Sequence, residues 1–183
     1  MLDHRNTELS TITAIGEVAV DHLFIKKNHK LRYIGSTGGG SASNIICYLA
    51  ALGNTTNVIG VIGDDNNARI ALQDFERFEV NTDGLIFEKS LTTTQIAHII
   101  FQNAKKDHSF SLVCPKCKQQ FPNPLTFKRS HIRYAQKEIL NKSNLIIVDG
   151  VSKAYLELAK IAYKHNIPII IDLGTTSKHF FKA

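Results

Sequence analysis

The sequence predicts an α/β protein with a parallel central sheet covered by helices on both faces. Three observations carry this. "NVIGVIG" (57–63), "NLIIVDG" (144–150) and "IPIIID" (167–172) are continuous apolar runs of strand length, the pattern of strands buried on both sides. Segments with helical spacing of apolar residues alternate with them at 43–52, 64–78 and 152–166. Asp21, Asp64, Asp149 and Asp172 each fall at the carboxyl end of a predicted strand, the edge at which open parallel sheets bind ligands.

Each element has its own local reason. "TITAIGEVAV" (11–20) is rich in β-branched residues and reads as a first strand interrupted by Gly16, with Asp21 at its end. "LRYI" (31–34) reads as a short strand running into "STGGGSASN". From Ser43, the spacing of Ile45, Ile46, Leu49 and Leu52 predicts a helix that Gly53 ends. Asp64 and Asp65 start the next helix, whose inner face is Ile70, Leu72, Phe75 and Phe78. "TTQIAHIIF" (93–101) and "SFSLV" (109–113) flank a turn-like "NAKKDH" and predict a hairpin. A proline-rich loop, "CPKCKQQFPNP", follows, and then a polar helix over 130–141. The apolar strand at 167–172 reads as a central one, so something should lie beside it.

At 183 residues, 43% apolar and 21% charged, the chain suits one soluble domain with a proper core. No run of 18 apolar residues is present, and "MLDHRNTELS" lacks the apolar core of a signal peptide. The expectation is a cytoplasmic protein with no membrane partner. The net charge of +6 is local: residues 105–142 hold 9 Lys/Arg against 2 Asp/Glu, whereas residues 1–104 hold 8 against 11. Such a block is either a solvated face or a surface for phosphates or nucleic acid. Few aromatic residues interleave with its charges, which argues against nucleic acid.

Three consecutive glycines, 38–40, immediately before a helix are costly, about 0.5–1 kcal/mol each relative to alanine in a regular element. They are either a flexible connector or a loop whose backbone closely approaches a ligand.

Taken in order, "AIGEVAVDHLF", "GGSASNIICYLAALG", "VIGVIGDD", "VNTDGL" and "TTTQIAHIIF" resemble the ribokinase-like (PfkB) carbohydrate kinases, over residues 12–176. The paired glycines, Asn44 and the A-x-L-G ending match that family's N-terminal signature. The resemblance implies a ribokinase-like three-layer sandwich with a mostly parallel sheet and a small β lid. It implies one incomplete domain over 1–183, with lid elements near 22–38 and 84–113 and a CPKC-containing loop at 114–124. Asp21 and Asn44 would hold a sugar or nucleoside, and Gly39 and Gly40 would form the hinge between lid and body. Asp149 and Asp172 resemble positions near the phosphate end, and ATP and Mg2+ would be the cofactors. On the residues alone, Asp21 could equally cap a turn, Asn44 could be a first-turn helix residue, and both later aspartates could cap strand ends.

Two departures matter. Ala68 stands where relatives usually carry a glycine. The family's later Gly-Ala-Gly-Asp stretch, which supplies the catalytic base and an anion hole, is absent from these residues. The expectation is therefore a sugar-binding half without its C-terminal nucleotide half, with no catalytic residue of its own and inactive alone. The alternatives are a noncatalytic sugar-binding or regulatory module and a zinc-knuckle nucleic-acid-binding protein. A homodimer is expected.

Three cysteines make no disulfide framework. Cys47 reads as a small core residue. Cys114 and Cys117 have the spacing of one zinc knuckle, two of the four ligands that a structural zinc needs. A second copy could supply the other two, and a metal-free reduced loop fits the sequence as well.

Overall fold

The computed structural model describes residues 10–102, 107–150 and 152–172, apart from the side chains of 138–141. The expected turn at 103–106 and the last stretch of the family resemblance, 173–176, lie outside the described residues.

A five-stranded parallel sheet forms the centre, in the order β5-β4-β1-β8-β9, built from β1 (Thr11–Ile15), β4 (Thr55–Gly63), β5 (Asn81–Glu88), β8 (Leu145–Asp149) and β9 (Ile169–Asp172). Its central strands send alternate residues to opposite faces, and both faces are buried. Ala14, Val58, Ile62 and Ile147 pack under α1 (Ser41–Ala51) and α2 (Asn66–Arg77). Ile15, Ile59, Val61, Ile146 and Val148 pack under α3 (Ile132–Lys142) and α4 (Lys153–Lys164). Two buried faces explain why these strands read as unbroken apolar runs. The architecture is the expected three-layer sandwich with its second, smaller sheet.

The second sheet has the order β3-β2-β6-β7, from β2 (Ala19–Lys27), β3 (Lys30–Gly39), β6 (Thr94–Phe101) and β7 (His108–Ser111). β2 and β3 are antiparallel, β2 and β6 parallel, and β6 and β7 form the expected antiparallel pair.

Three expectations need correcting. The strand expected over 11–20 is two strands: the chain leaves the central sheet after Ile15 and enters the second one at Ala19. Gly16 permits the departure. A Cβ there would stand 2.6 Å from that of Ala42 and 2.7 Å from that of Asp149, so the start of α1 and the end of β8 close directly on its backbone. The short strand at 31–34 extends over all of β3, because pairing with β2 stabilises residues whose own sequence is glycine-rich. Residues 84–88, expected among the lid elements, belong to β5 at the edge of the central sheet.

Helix ends follow their sequence signals. α1 closes with a Schellman arrangement: Gly53 adopts φ +89°, its N–H donates to Ala50 O, and that of Asn54 donates to Leu49 O. Asp65 caps α2 by accepting from Ala68 N at 2.8 Å, and also accepts from the Thr93 amide and hydroxyl. Ser152 caps α4 through Tyr155 N. No helix among the described residues is long and apolar enough to cross a membrane.

Leu158, fully buried between α4 and the sheet, tests the second core layer. Leu158→Ala should cost about 2–5 kcal/mol, from lost transfer energy and the cavity left behind. Urea unfolding of both proteins measures it.

Candidate functional site

The glycine run lies over a cavity of about 410 Å³ between the second sheet and the α1/α2 face. Asp21, Gly39 and Asn44, three of the expected binding residues, line it together. Asp21 is the third residue of β2, not a strand terminus, and pairs in register with Thr37 and Ile96. Its carboxylate is largely buried, and among the described residues no hydrogen-bond donor is seated on it. The turn-capping alternative therefore has no geometric basis.

Gly39 explains part of the glycine run. A Cβ there would stand 2.6 Å from Asp21 Cγ and 2.7 Å from its Oδ1, so the carboxylate rests against bare backbone. Gly40 has a different reason: its φ of +97° lies in the region that favours glycine, and a Cβ would collide with the Glu17 carbonyl. The run is also tied down. Asp74 on α2 accepts from Gly38 N at 2.6 Å and from the Thr37 hydroxyl at 2.7 Å. Sequence reasoning missed Asp74; its signal was a carboxylate between the inward-facing Ala71 and Phe75.

Asn44 is exposed to the cavity from the first turn of α1. Cys47, expected in the core, is half-buried and lines the same cavity, where burial first and the Asp74 charge second push its thiol up to about 11. His98 on β6 and Arg77 at the end of α2 complete the wall. The His98 ring packs on Phe110, with centroids 4.5 Å apart.

A second group of carboxylates gathers at the carboxyl ends of the central strands. Asp149 and Asp172 are register partners on β8 and β9. Asp149 also accepts from Ala42 N at 3.3 Å, supplying α1 with the cap its own N-cap residue, Gly40, cannot give. Burial holds the Asp149 carboxyl above its ordinary value, and Asp172 pushes it the same way. Glu17, a residue the sequence did not single out, is likewise raised, by burial first, against a lowering hydrogen bond from Thr94. It feels the charges of both Asp149 and Asp21 and so links the strand-end group to the cavity.

Cys114 and Cys117 lie outside this cavity, on the loop after β7. Among the described residues, no group of three His, Cys, Asp or Glu side chains could hold a metal. The basic segment is partly paired: Lys128 faces Glu88 at 3.9 Å and Arg129 faces Glu157 at 3.2 Å.

A sheet of this topology with an acid-lined cavity beneath a small second sheet defines a class, and the sequence assigns it: the profile of the pfkB family carbohydrate kinases matches residues 9–177, and the chain belongs to that family. Its fold is that of the ribokinase-like sugar kinases. The bifunctional protein HldE of Aliarcobacter butzleri is 25% identical over 176 residues, covering 88% of this chain and 36% of that protein. The fructokinase of Xylella fastidiosa, solved with bound ATP, superposes with a TM-score of 0.70 at 19% identity, over 90% of this chain and 52% of that one. The 2-dehydro-3-deoxygluconokinase of Thermotoga maritima gives 0.72 at 14% identity, over 90% and 50%. The chain thus spans about half the length of these solved structures.

Burial holds the Asp21 carboxyl above its ordinary value, while the nearby His98 and His22 pull it back. A raised folded-state pKa means that the unfolded chain ionises more readily. The resulting penalty is absent below the ordinary value of 3.8 and complete once the pH exceeds the raised one. Asp21→Asn should therefore raise the melting midpoint near neutral pH, with the gain shrinking as the pH falls toward 3.8. Thermal melts across a pH series check this.

Proposed function

We propose that the cavity beneath Gly39 binds a sugar or nucleoside hydroxyl through Asp21 and Asn44, in a kinase that transfers the γ-phosphate of ATP to that substrate. The observation that carries this reading is the Asp21 carboxylate: buried, facing the cavity, and accepting no hydrogen bond from the described residues. A carboxylate so placed can accept from two hydroxyls, each charge-assisted bond contributing about 1.5–3 kcal/mol. Asn44 across the cavity can both donate and accept, which suits a ring bearing several hydroxyls. Gly39 and Gly40 let backbone approach the substrate and give the second sheet a hinge over it.

The strand-end aspartates are proposed as the phosphate end. Two adjacent carboxylates repel a triphosphate, so this role requires a cation between them. Carboxylate oxygens are the hard donors that magnesium takes, and the mutual repulsion of Asp149 and Asp172 is what a divalent ion would relieve. MgATP bound there would supply the transferable phosphoryl group. The chain's own residues bind and orient the sugar and exclude water from the cavity. The Gly-Ala-Gly-Asp stretch that relatives use as catalytic base is absent from these 183 residues. On this reading the residues bind sugar in the cytoplasm without turning it over alone; general-base help is worth about 10²–10⁴-fold.

Calorimetric titration of a panel of sugars and nucleosides tests the proposal. Asp21→Asn should keep the fold and weaken the cognate ligand by roughly 10- to 150-fold. Gly39→Ala, which displaces the same carboxylate, should weaken it as well. Equal affinities of all three proteins for every ligand that binds would remove Asp21 from the site.

A further inference from the structure

The CPKC loop plays no part in the sugar cavity, and its backbone forms a tight, hydrogen-bonded reversal. The chain folds back on itself after β7: Phe121 N donates to Leu112 O at 2.8 Å, Val113 bridges Gln120, and Cys114 N donates to Gln119 O at 2.8 Å. At the tip, Lys118 N donates to Cys114 O at 2.9 Å, and Lys118 takes the left-handed φ of +65° that such a tight reversal requires. Pro115 stiffens the first residue of the turn.

The reversal closes between Cys114 and Gln119, so both cysteines lie within one short turn. The Cys117 thiol donates to Gln119 Oε1 at 3.8 Å. Cys117 is exposed and Cys114 half-buried, so both are open to a metal arriving from solvent. The loop is anchored rather than pendant: the Phe121 ring packs against His22 of β2, centroids 5.3 Å apart.

We propose that Cys114 and Cys117 bind zinc as half of a four-thiolate site, completed by the same two cysteines of a second copy of this chain. Two thiolates fill two of the four tetrahedral positions, and among the described residues no third ligating side chain joins them. A twofold axis through the metal brings the identical pair to the open positions, as an isologous interface does. The surroundings suit that partner. Leu112 and Val113, immediately before the loop, are 42% and 40% exposed, an apolar fringe that a second copy would cover. Charge fits too: zinc with four thiolates carries a net charge of −2, and Lys116 and Lys118 of both copies stand beside it to offset it. Binding releases the thiol protons to solvent, so it weakens in acid.

The test uses the reduced chain, with Zn2+ and Co2+ as probes. Zinc content after gel filtration should be one ion per two chains, and sedimentation should show a dimer with zinc and a monomer after EDTA. Cys114→Ser and Cys117→Ser should each abolish both the zinc and the zinc-dependent dimer while leaving the metal-free melt unchanged. No retained zinc, one zinc per monomer, or a dimer indifferent to EDTA and to both substitutions would overturn the proposal. The cobalt spectrum needs no substitution and so stands even if the variants misfold. A tetrahedral four-thiolate spectrum supports the shared site, and a two-thiolate spectrum overturns it.

Discussion

The close approach at Gly16 organises the site. With no side chain there, the start of α1 and the end of β8 meet on the β1 backbone, and the chain is free to leave one sheet and cross to the other. That crossing carries Asp21 off the central sheet and over the cavity. The same closure lets Asp149 reach the amide of Ala42, so the helix that presents Asn44 is capped by the neighbouring strand's carboxylate. The positions of Asp21 and Asn44 therefore depend on one missing methyl group.

The site holds its charges at a cost to folding. Asp21, Glu17 and Asp149 are all raised, in each case chiefly by burial, and their mutual repulsion adds to it for Glu17. One carboxylate elsewhere in the fold behaves oppositely. Asp65, satisfied by Ala68 and Thr93, is lowered despite partial burial. The contrast sets Asp65, satisfied by its own fold, apart from Asp21, on which no donor sits among the described residues.

The second sheet carries two candidate sites at once. Successive residues of a strand face opposite sides. On β2, Asp21 faces the cavity, while His22 bonds Ser36 and Gln95 and packs against Phe121 at the root of the cysteine loop. The alternation is local geometry, but it places the candidate sugar site on one face of the sheet and the candidate zinc turn on the other.

Much was legible in the sequence because it depends on local pattern. The apolar runs at 57–63 and 144–150, the helical spacing after Ser43, the glycine stop at Gly53 and the Asp65 start are set by neighbours within a few residues, and each stands where its pattern puts it. The ordered motifs gave the family for the same reason. What local pattern could not show depends on contacts distant in the chain. The run 11–20 reads as one strand because its break is dictated by Ala42 and Asp149, far along the chain. β3 extends through glycines because β2 lies beside it. Asp74 and Glu17 look like ordinary surface acids until the fold brings Gly38 to one and Asp149 to the other. Asp21 was a candidate in the sequence, but only the fold shows Gly39 packed against it and, among the described residues, no donor on its oxygens. Local propensity fixes which elements form; burial and close approach, which need the whole fold, decide which polar groups are left available to act.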